Sequence, residues 1–445
     1  MNFRNYISNY KQIARLGLPI VLGQAGMIVV GFADNIMVGR YTTEALSAAS
    51  FVNNTFNMAN MACMGFTYGI TPLVGALFGR GEDGHIGRLM RTAVVINVIY
   101  TLLITLAMGV LYLNLERLGQ PQELMPLIKP YYILVLCGLL PMTLYNIWAQ
   151  CSYGMKGTKM PMWIILFANL LNVCGNYLLI YGNFGCPELG LFGAGLATLA
   201  SRVMSALVII GIFLTNRKYA SLRKGYGASR VNGSTFGLLG RTSLPVSLQL
   251  FFETASFSGA AIFVGWLGAV ELAAFQVMVM IGTLGFCFYY SLGSATSVLI
   301  ANAAGKGDTR TMRSIGFAGY HLTLLMALCA SLTFIFGGQQ LISLFTPDRA
   351  VITICLSLIP PLLCYQLGDA TQINFANALR GTSKVMPILW IAFLSYMVFG
   401  LPSSYLFGFT FDGGIVGIFY SFSVSLFLAG GLFFAYFLKY TKSRE

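Results

Sequence analysis

The chain contains twelve apolar segments of roughly 20–25 residues, each long enough to cross the ~30 Å hydrocarbon core of a bilayer as an α-helix. Hydrophobic residues make up 57% of the 445 residues and charged residues only 9%, a composition that no water-soluble domain of this length sustains. The segments lack the alternating pattern of outer-membrane strands. We therefore predict an all-α membrane protein with transmembrane helices at residues 15–39, 45–72, 90–113, 127–150, 160–182, 190–214, 241–266, 271–299, 314–338, 350–376, 385–409 and 414–438.

The positions of the basic residues predict how the helices are oriented. The formal net charge of +13 would suit a nucleic-acid partner, but the location of the charges excludes one. If the N-terminus is cytoplasmic, nearly all of the 27 Lys and Arg lie in the two tails and in loops on that same side. We predict that both termini are cytoplasmic and that the protein lies in the plasma membrane, the inner membrane of a bacterium. The exceptions are Arg40, Arg117, Lys129, Arg349 and, within the sixth helix, Arg202.

An internal repeat divides the chain into two halves. Shifted by 226 residues, the sequence aligns with itself at several motifs, and a shift of 224 pairs one more. Because six helices per copy give both copies the same orientation, we predict two six-helix bundles related by a pseudo-two-fold axis along the membrane normal. The bundles are residues 1–216 and 241–445, and the basic segment 217–240 is a solvated cytoplasmic linker, with anionic lipid as an alternative partner. The aligned motifs are Leu18-Pro19 with Leu244-Pro245, Val38-Gly39 with Val264-Gly265, Gly79-Arg80-Gly81 with Gly305-Lys306-Gly307, and Lys156-Gly157-Thr158 with Arg380-Gly381-Thr382.

Three acidic residues, Asp34, Glu253 and Asp369, lie inside the apolar segments of a chain that has only 14 acidic residues. A carboxylate at the centre of a membrane helix costs about 2.5–3.5 kcal/mol, so structure alone is a poor reason for three of them. They do not align with one another in the repeat, which indicates that they are not part of the repeated scaffold. We interpret them as groups that handle a cation. A brace that caps a neighbouring helix is the alternative for Asp34.

Helical spacing places further oxygen atoms beside these carboxylates. Residues four apart share a helix face, so Tyr365 with Asp369, and Asn172 with Asn176, each direct two side chains to one place. Such oxygen ligands suit sodium, whereas protonation would neutralise a carboxylate equally well. The sequence leaves the choice between Na⁺ and H⁺ open. Further neighbours expected near Glu253 and Asp369 are Gln249, Ser256, Gln366 and Gln372.

These motifs together resemble the multidrug and toxic compound extrusion (MATE) family of cation-coupled antiporters, particularly its NorM-like branch, over essentially the whole chain. The first helix carries Phe32-Ala33-Asp34-Asn35-Ile36-Met37-Val38-Gly39, which is close to the signature of that family. The fifth helix carries Asn169-Leu170-Leu171-Asn172-Val173-Cys174-Gly175-Asn176-Tyr177, and the loop after the tenth carries Ala378-Leu379-Arg380-Gly381-Thr382.

The resemblance implies a secondary-active antiporter that exports cationic or amphipathic organic compounds, drugs or toxins, in exchange for Na⁺ or H⁺ by alternating access. It implies a cation site in the C-terminal lobe, where Glu253 and Asp369 bind Na⁺ if the protein is sodium-coupled, and a proton or cation cluster in the N-terminal lobe. The chain departs from many relatives at Asn176, where Asp is common, so the second cluster carries one carboxylate fewer. The implied site residues are Glu253, Asp369 and Tyr365 in the C-terminal lobe and Asp34, Asn172 and Asn176 in the N-terminal lobe.

We predict neither an enzyme nor a cofactor, because the sequence has no Gly-rich phosphate loop, no nucleophile elbow and no metal motif around its two histidines. The alternative function is a flippase for lipid-linked precursors, with the same duplicated architecture. Such a protein should carry several cations in its cleft, whereas the charges predicted to be buried here are acidic, with Arg202 the single exception. We expect a monomer that binds small organic cations, the lipid bilayer and no nucleic acid. Candidate substrate contacts are Gln24, Gln249, Phe257, Gln276 and Phe288.

Overall fold

The computed structural model describes residues 3–118 and 121–442, and within these ranges it contains helices and no strand. Eleven of its helical segments are long and apolar enough to span a membrane, and the number is twelve if a bent pair of helices is counted as one span. The prediction of an all-α, multi-pass membrane protein is confirmed. The helices of the first half are α1 (Phe3–Tyr41), α2 (Thr43–Tyr68), α3 (Ile70–Arg80), α4 (Asp83–Leu113), α5 (Met125–Cys137), α6 (Leu139–Gly154), α7 (Lys159–Tyr181), α8 (Gly190–Thr215) and α9 (Ala220–Ala228).

Two spans of the second half depart from regular α-helix. The tenth consists of two helices bent by 52°, because Pro360 and Pro361 at the break lack the N–H groups that would continue the first one. The eleventh contains two π-helical stretches, Phe393–Gly400 and Leu406–Thr410. The α-helices of this half are α10 (Gly233–Leu267), α11 (Ala269–Gly305), α12 (Thr309–Phe345), α13 (Arg349–Ser357), α14 (Ile359–Gly381), α15 (Met386–Ala392), α16 (Leu401–Tyr405) and α17 (Gly414–Tyr440).

The chain forms two compact units, each with its own core. The N-terminal unit is Leu22–Ser247, and the C-terminal unit comprises the chain up to Val21 together with the chain from Leu248 onward. Both divisions fall inside a helix, so α1 and α10 each contribute to both units. The boundaries expected from the sequence lie instead at the ends of the basic segment 217–240. A pattern of hydrophobicity shows where a helix is, but it carries no information on which neighbours each part of the helix contacts.

Backbone conformation supports the 226-residue repeat at one helix end. Gly81 and Gly307, which are 226 positions apart, both adopt a left-handed conformation, with φ of 76° and 71°. Gly81 ends α3, where its N–H bonds to carbonyls of the last turn, and Gly307 follows the end of α11. Glycine tolerates this conformation because it has no Cβ. The two copies therefore share this turn.

The 224-residue pairing of a later motif is wrong. The residues with positive φ in the two corresponding turns are Lys156 and Ser383, which lie 227 positions apart. Their N–H groups bond to the carbonyls of Tyr153 at 2.8 Å and Arg380 at 2.9 Å, respectively. Arg380 is thus equivalent to Tyr153, not to Lys156. It lies in the last turn of α14 and is buried, whereas the sequence motif placed it in the following loop.

The basic segment differs from a wholly solvated linker because it contains α9, which packs against α4. Leu222 of α9 is only 3% exposed. Gly87 of α4 and Gly225 of α9 let the two backbones approach, since a Cβ at Gly87 would collide with the carbonyl oxygen of Leu222. Lys224 and Arg230 remain exposed. One face of the segment is therefore part of the N-terminal unit.

This contact predicts that Gly87→Ala destabilises the protein. The added methyl group forces α4 and α9 apart, and overpacking of this kind costs about 1–3 kcal/mol. Gly84→Ala is the matched control, because a Cβ at Gly84 meets no atom within 4 Å and Ala is a better helix former than Gly. Thermal unfolding in detergent, monitored by size-exclusion chromatography, should show a lower Tm for Gly87→Ala and no decrease for Gly84→Ala. Equal Tm values for the two variants would contradict the close contact.

Candidate functional site

A polar cluster in the C-terminal unit forms where side chains of α10 and α14 meet. The side-chain amide of Gln372 donates a hydrogen bond to Oε1 of Glu253 at 3.1 Å. Asp369, one turn before Gln372, is 2% exposed and interacts electrostatically with Glu253. Tyr365, one turn earlier, interacts with both carboxylates. The structure thus brings together Glu253, Asp369 and Tyr365, which the sequence proposed as one site.

Arg380 adds a positive charge to this cluster. Its Nη2 donates to Oε1 of Gln249 at 2.8 Å and its Nη1 to Oδ1 of Asn377 at 3.4 Å. The guanidinium interacts electrostatically with Glu253. Asp369 and Arg380 are eleven residues apart, which is about three turns and places them on one helix face. Sequence reasoning missed Arg380 because its motif resembled a cytoplasmic loop, although the eleven-residue spacing was visible.

The π-helical stretch Phe393–Gly400 supplies a further member of the cluster. Tyr396 is 2% exposed and interacts electrostatically with Glu253 and Asp369. A π-turn adds one residue to a helical turn and frequently occurs at functional sites. On another side, Tyr289 donates a hydrogen bond to Oε1 of Gln366 at 2.6 Å. No pattern in the sequence predicts a π-turn, so Tyr396 was not foreseen.

Several buried oxygen atoms of this cluster have no hydrogen-bond partner among the described residues. They are Oδ2 of Asp369, Oε1 of Gln372 and the hydroxyl of Tyr396. A buried polar atom without a partner costs about 1–3 kcal/mol. A small hard cation, which prefers carboxylate, carbonyl and hydroxyl oxygens, would satisfy them together, and a proton would satisfy the carboxylate. The chemistry of the cluster therefore fits the binding of Na⁺ or H⁺.

A second cluster lies in the N-terminal unit between α1, α7 and α8. Nδ2 of Asn176 donates to Oδ1 of Asp34 at 2.5 Å and lies 3.4 Å from Oδ1 of Asn172. Nδ2 of Asn172 donates to the hydroxyl of Thr198 at 3.1 Å. Arg202, one turn after Thr198, is half-buried and interacts electrostatically with Asp34. The structure thus brings Asp34, Asn172 and Asn176 together, and it adds Thr198 and Arg202.

Small residues allow the helices of this second cluster to approach each other. A Cβ at Gly26 of α1 would lie 2.8 Å from the Leu166 side chain and 3.1 Å from the Asn169 amide on α7. A Cβ at Gly175 of α7 would lie 2.9 Å from Ala197 on α8. Gly26 precedes Asp34 by about two turns. The close approach of α1 to α7 therefore sets the distance between Asp34 and its asparagine partners.

The five candidate substrate contacts do not form one group within either unit. Gln249 joins the cluster of the C-terminal unit through Arg380, and the Phe257 ring lies edge-on to Tyr365 at 6.1 Å. Gln276 is exposed and Phe288 is 44% exposed, so both lie on the surface of the same unit. Gln24 is half-buried in α1 of the N-terminal unit. Their contact with a substrate stays a prediction.

The fold is shared with solved transporters. The structure of the eukaryotic MATE transporter AtDTX14 matches with a TM-score of 0.88 and 17% identity, covering 97% of this chain and 96% of that one. A variant of the Vibrio cholerae MATE transporter VcmN matches with a TM-score of 0.88 and 18% identity, covering 99% of both chains. A MOP superfamily transporter from Pyrococcus furiosus matches with a TM-score of 0.87 and 18% identity, covering 97% of this chain and 96% of that one. The MatE family model matches residues 19–178 and 245–406. The chain therefore belongs to the MatE family, whose members are transporters and not enzymes.

Proposed function

We propose that this protein is a secondary-active antiporter that exports cationic or amphipathic organic compounds in exchange for Na⁺ or H⁺ by alternating access. The observation that carries the proposal is the cluster around Glu253 and Asp369, in which buried oxygens, one of them from Asp369 itself, have no hydrogen-bond partner among the residues that the structure describes. Membership of a transporter family supports efflux. We further propose that the protein works as a monomer without a cofactor, in the inner membrane of a bacterium, with both termini in the cytoplasm.

In this mechanism the cluster of the C-terminal unit alternates between two ways of balancing its negative charge. With a cation bound, Asp369 Oδ2 and Gln372 Oε1 contribute ligands and Glu253 is neutralised directly. After the cation leaves, the nearby Arg380 guanidinium is the remaining positive charge. A cation and a substrate that favour different states of the protein must each lower the affinity of the other by the same factor. This reciprocity couples import of the cation to export of the organic compound.

The cluster of the N-terminal unit acts as a second switch in this proposal. When Asp34 is charged, it accepts a hydrogen bond from Asn176 and is attracted to Arg202. Protonation removes that attraction and leaves both oxygens of a neutral carboxyl among neutral amides. The attraction between α1 and α8 is then weaker, and the protonated state binds substrate less tightly.

We predict that Asp34→Asn lowers substrate affinity more at high pH than at low pH. Asn imitates the protonated carboxyl, so the variant differs from the native protein only where the native residue is charged. Titration of a fluorescent cationic dye across the pH range would measure the effect, with Asn172→Ser as a control that keeps the carboxylate. Equal dye affinity of Asp34→Asn and the native protein at every pH would show that Asp34 is a structural brace.

Transport in proteoliposomes tests the proposed function. A cationic dye is followed while a sodium gradient or a proton gradient is imposed in separate experiments, each with an empty-liposome control. Accumulation of the dye against its own gradient, driven by one of the two ions, is the expected result. Dye movement that only follows the dye's own gradient would instead identify a passive pathway, and no response to either ion would overturn antiport.

A flippase for lipid-linked precursors is the second candidate, and the buried Arg380 is the observation that favours it, because it adds a cation to Arg202. Each arginine interacts with a carboxylate of its own cluster, which argues for an internal counter-charge and not for a pyrophosphate site. The same proteoliposomes can carry a fluorescent lipid pyrophosphate in one leaflet. Its faster exchange between leaflets, without any dye transport, would favour the flippase.

A further inference from the structure

A cavity of about 520 Å³ lies in the C-terminal unit, and none of the residues that line it belongs to the cluster around Glu253. Its walls come from the start of α1, the first turns of α12 and the end of α17. Two arginines, Arg310 and Arg313, and one histidine, His321, line it together with Tyr6 and Phe317. The chain enters α1 and leaves α17 here, so this is the end of the unit that we expect to face the cytoplasm.

The two arginines of this cavity have little competition from protein anions. Arg310 is exposed and Arg313 is half-buried, and neither side chain makes an ion pair or a hydrogen bond within the part of the chain that the structure describes. Asp308 interacts electrostatically with Arg310, but one of its oxygens already accepts the N–H of Thr311 at 2.9 Å. Two guanidinium groups thus face the cavity beside one carboxylate that is engaged elsewhere. The cavity is suited to a further anion.

Aromatic side chains form the wall next to the arginines. The hydroxyl of Tyr10 is hydrogen-bonded to Nδ1 of His321 at 2.8 Å, and the ring of Tyr6 lies 6.0 Å from that of His321. Phe317 packs edge-on against Phe434 at 6.1 Å. Phe317 lies about two turns further along α12 than Arg310. The cavity therefore changes from charged to aromatic in the direction in which α12 enters the membrane.

We propose that this cavity binds the phosphate headgroup of an anionic phospholipid. Guanidinium groups bind phosphate through paired N–H donors, and basic pockets between membrane helices at the cytoplasmic side are typical sites for anionic lipid headgroups. Arg310 and Arg313 contact the phosphate, while Tyr6 and Phe317 contact the glycerol and the upper acyl chain. A soluble phosphate shares the charged group but makes no use of the aromatic wall. This gradient in polarity favours a lipid as the source.

Native mass spectrometry of the full chain in detergent, titrated with lipid, tests the proposal. The probes are phosphatidylglycerol and phosphatidylcholine with identical acyl chains, with inorganic phosphate and glycerol 3-phosphate as soluble competitors. Arg310→Gln/Arg313→Gln removes both charges from the cavity. Lys224→Gln/Arg230→Gln is the matched control, because it removes two exposed basic charges from the N-terminal unit. Phe317→Ala keeps the charges and removes part of the aromatic wall.

We expect the native protein to prefer phosphatidylglycerol over phosphatidylcholine by about tenfold, since each basic residue near a lipid surface contributes measurably to anionic-lipid binding. The arginine double variant should lose most of that preference, and the control should keep it. Phe317→Ala should weaken the binding of both lipids. An equal loss in the control would show general surface charge and overturn the site. Displacement of phosphatidylglycerol by millimolar inorganic phosphate would overturn the lipid as ligand and identify a soluble phosphate site.

Discussion

Glu253→Gln and Asp369→Asn are each expected to abolish ion-coupled export while the protein remains folded and inserted. Each change removes one of the two negative charges that a coupling cation neutralises, and it leaves the shape of the side chain nearly unchanged. Asp369 would also lose the carboxylate oxygen that has no partner among the described residues. The amide of Gln372 donates a hydrogen bond to Glu253, and a Gln at position 253 still offers an oxygen that can accept it. We therefore expect the cluster to stay packed.

Dye accumulation in proteoliposomes under the effective ion gradient measures the loss, which should bring the rate to that of empty liposomes. Asp348→Asn is the matched control. Asp348 is exposed, lies in the same unit and caps α13 by accepting the N–H of Ala350 at 2.8 Å, a role that Asn fills equally well. Near-normal coupled transport by either cluster variant, at native expression and Tm, would refute the assignment of the cation site.

The spans and the intramembrane carboxylates could be predicted because simple physical costs determine both. Segment length and hydrophobicity decide whether a helix can cross a bilayer, and apolar helices lie at all twelve predicted positions, with a bent pair at the tenth. The cost of a carboxylate in hydrocarbon singled out Asp34, Glu253 and Asp369. Four-residue spacing added Tyr365, and the resemblance to a family grouped these side chains. The structure brings the same residues together, with their transport roles still to be tested.

The partners of these carboxylates were harder to predict because they depend on local geometry. The sequence motif places Arg380 in a loop, because its alignment with the first half is three positions out of register. An error of this size turns a buried side chain into an exposed one. Tyr396 is aligned by a π-turn, for which the sequence has no signal. The first parts of α1 and α10 belong to a different unit from the rest of each helix, and hydrophobicity is the same in either arrangement.

Arg380→Met is expected to tighten the binding of the coupling ion by about tenfold or more and to slow transport. Removal of a positive charge beside Glu253 makes the cluster more attractive to a cation. At an effective dielectric constant of about 20, the repulsion between two nearby positive charges amounts to a few kcal/mol. A change of about 1.4 kcal/mol in binding free energy is enough for the tenfold change in affinity. An ion that binds too tightly leaves slowly, so the maximal rate falls. Loss of the hydrogen bond to Gln249 should also lower Tm.

Arg380→Lys separates the charge from the packing, because Lys keeps the positive charge but cannot reproduce the two hydrogen bonds to Gln249 and Asn377. If Arg380 acts as an internal counter-charge, the Lys variant should bind the ion with nearly native affinity and show a Tm as low as that of the Met variant. The concentration of ion that gives half-maximal dye transport measures the affinity in both. If Arg380 has only a structural role, both variants should have a lower Tm and an unchanged ion concentration for half-maximal transport. Tighter ion binding in Arg380→Met alone is therefore the result that only an electrostatic role can produce.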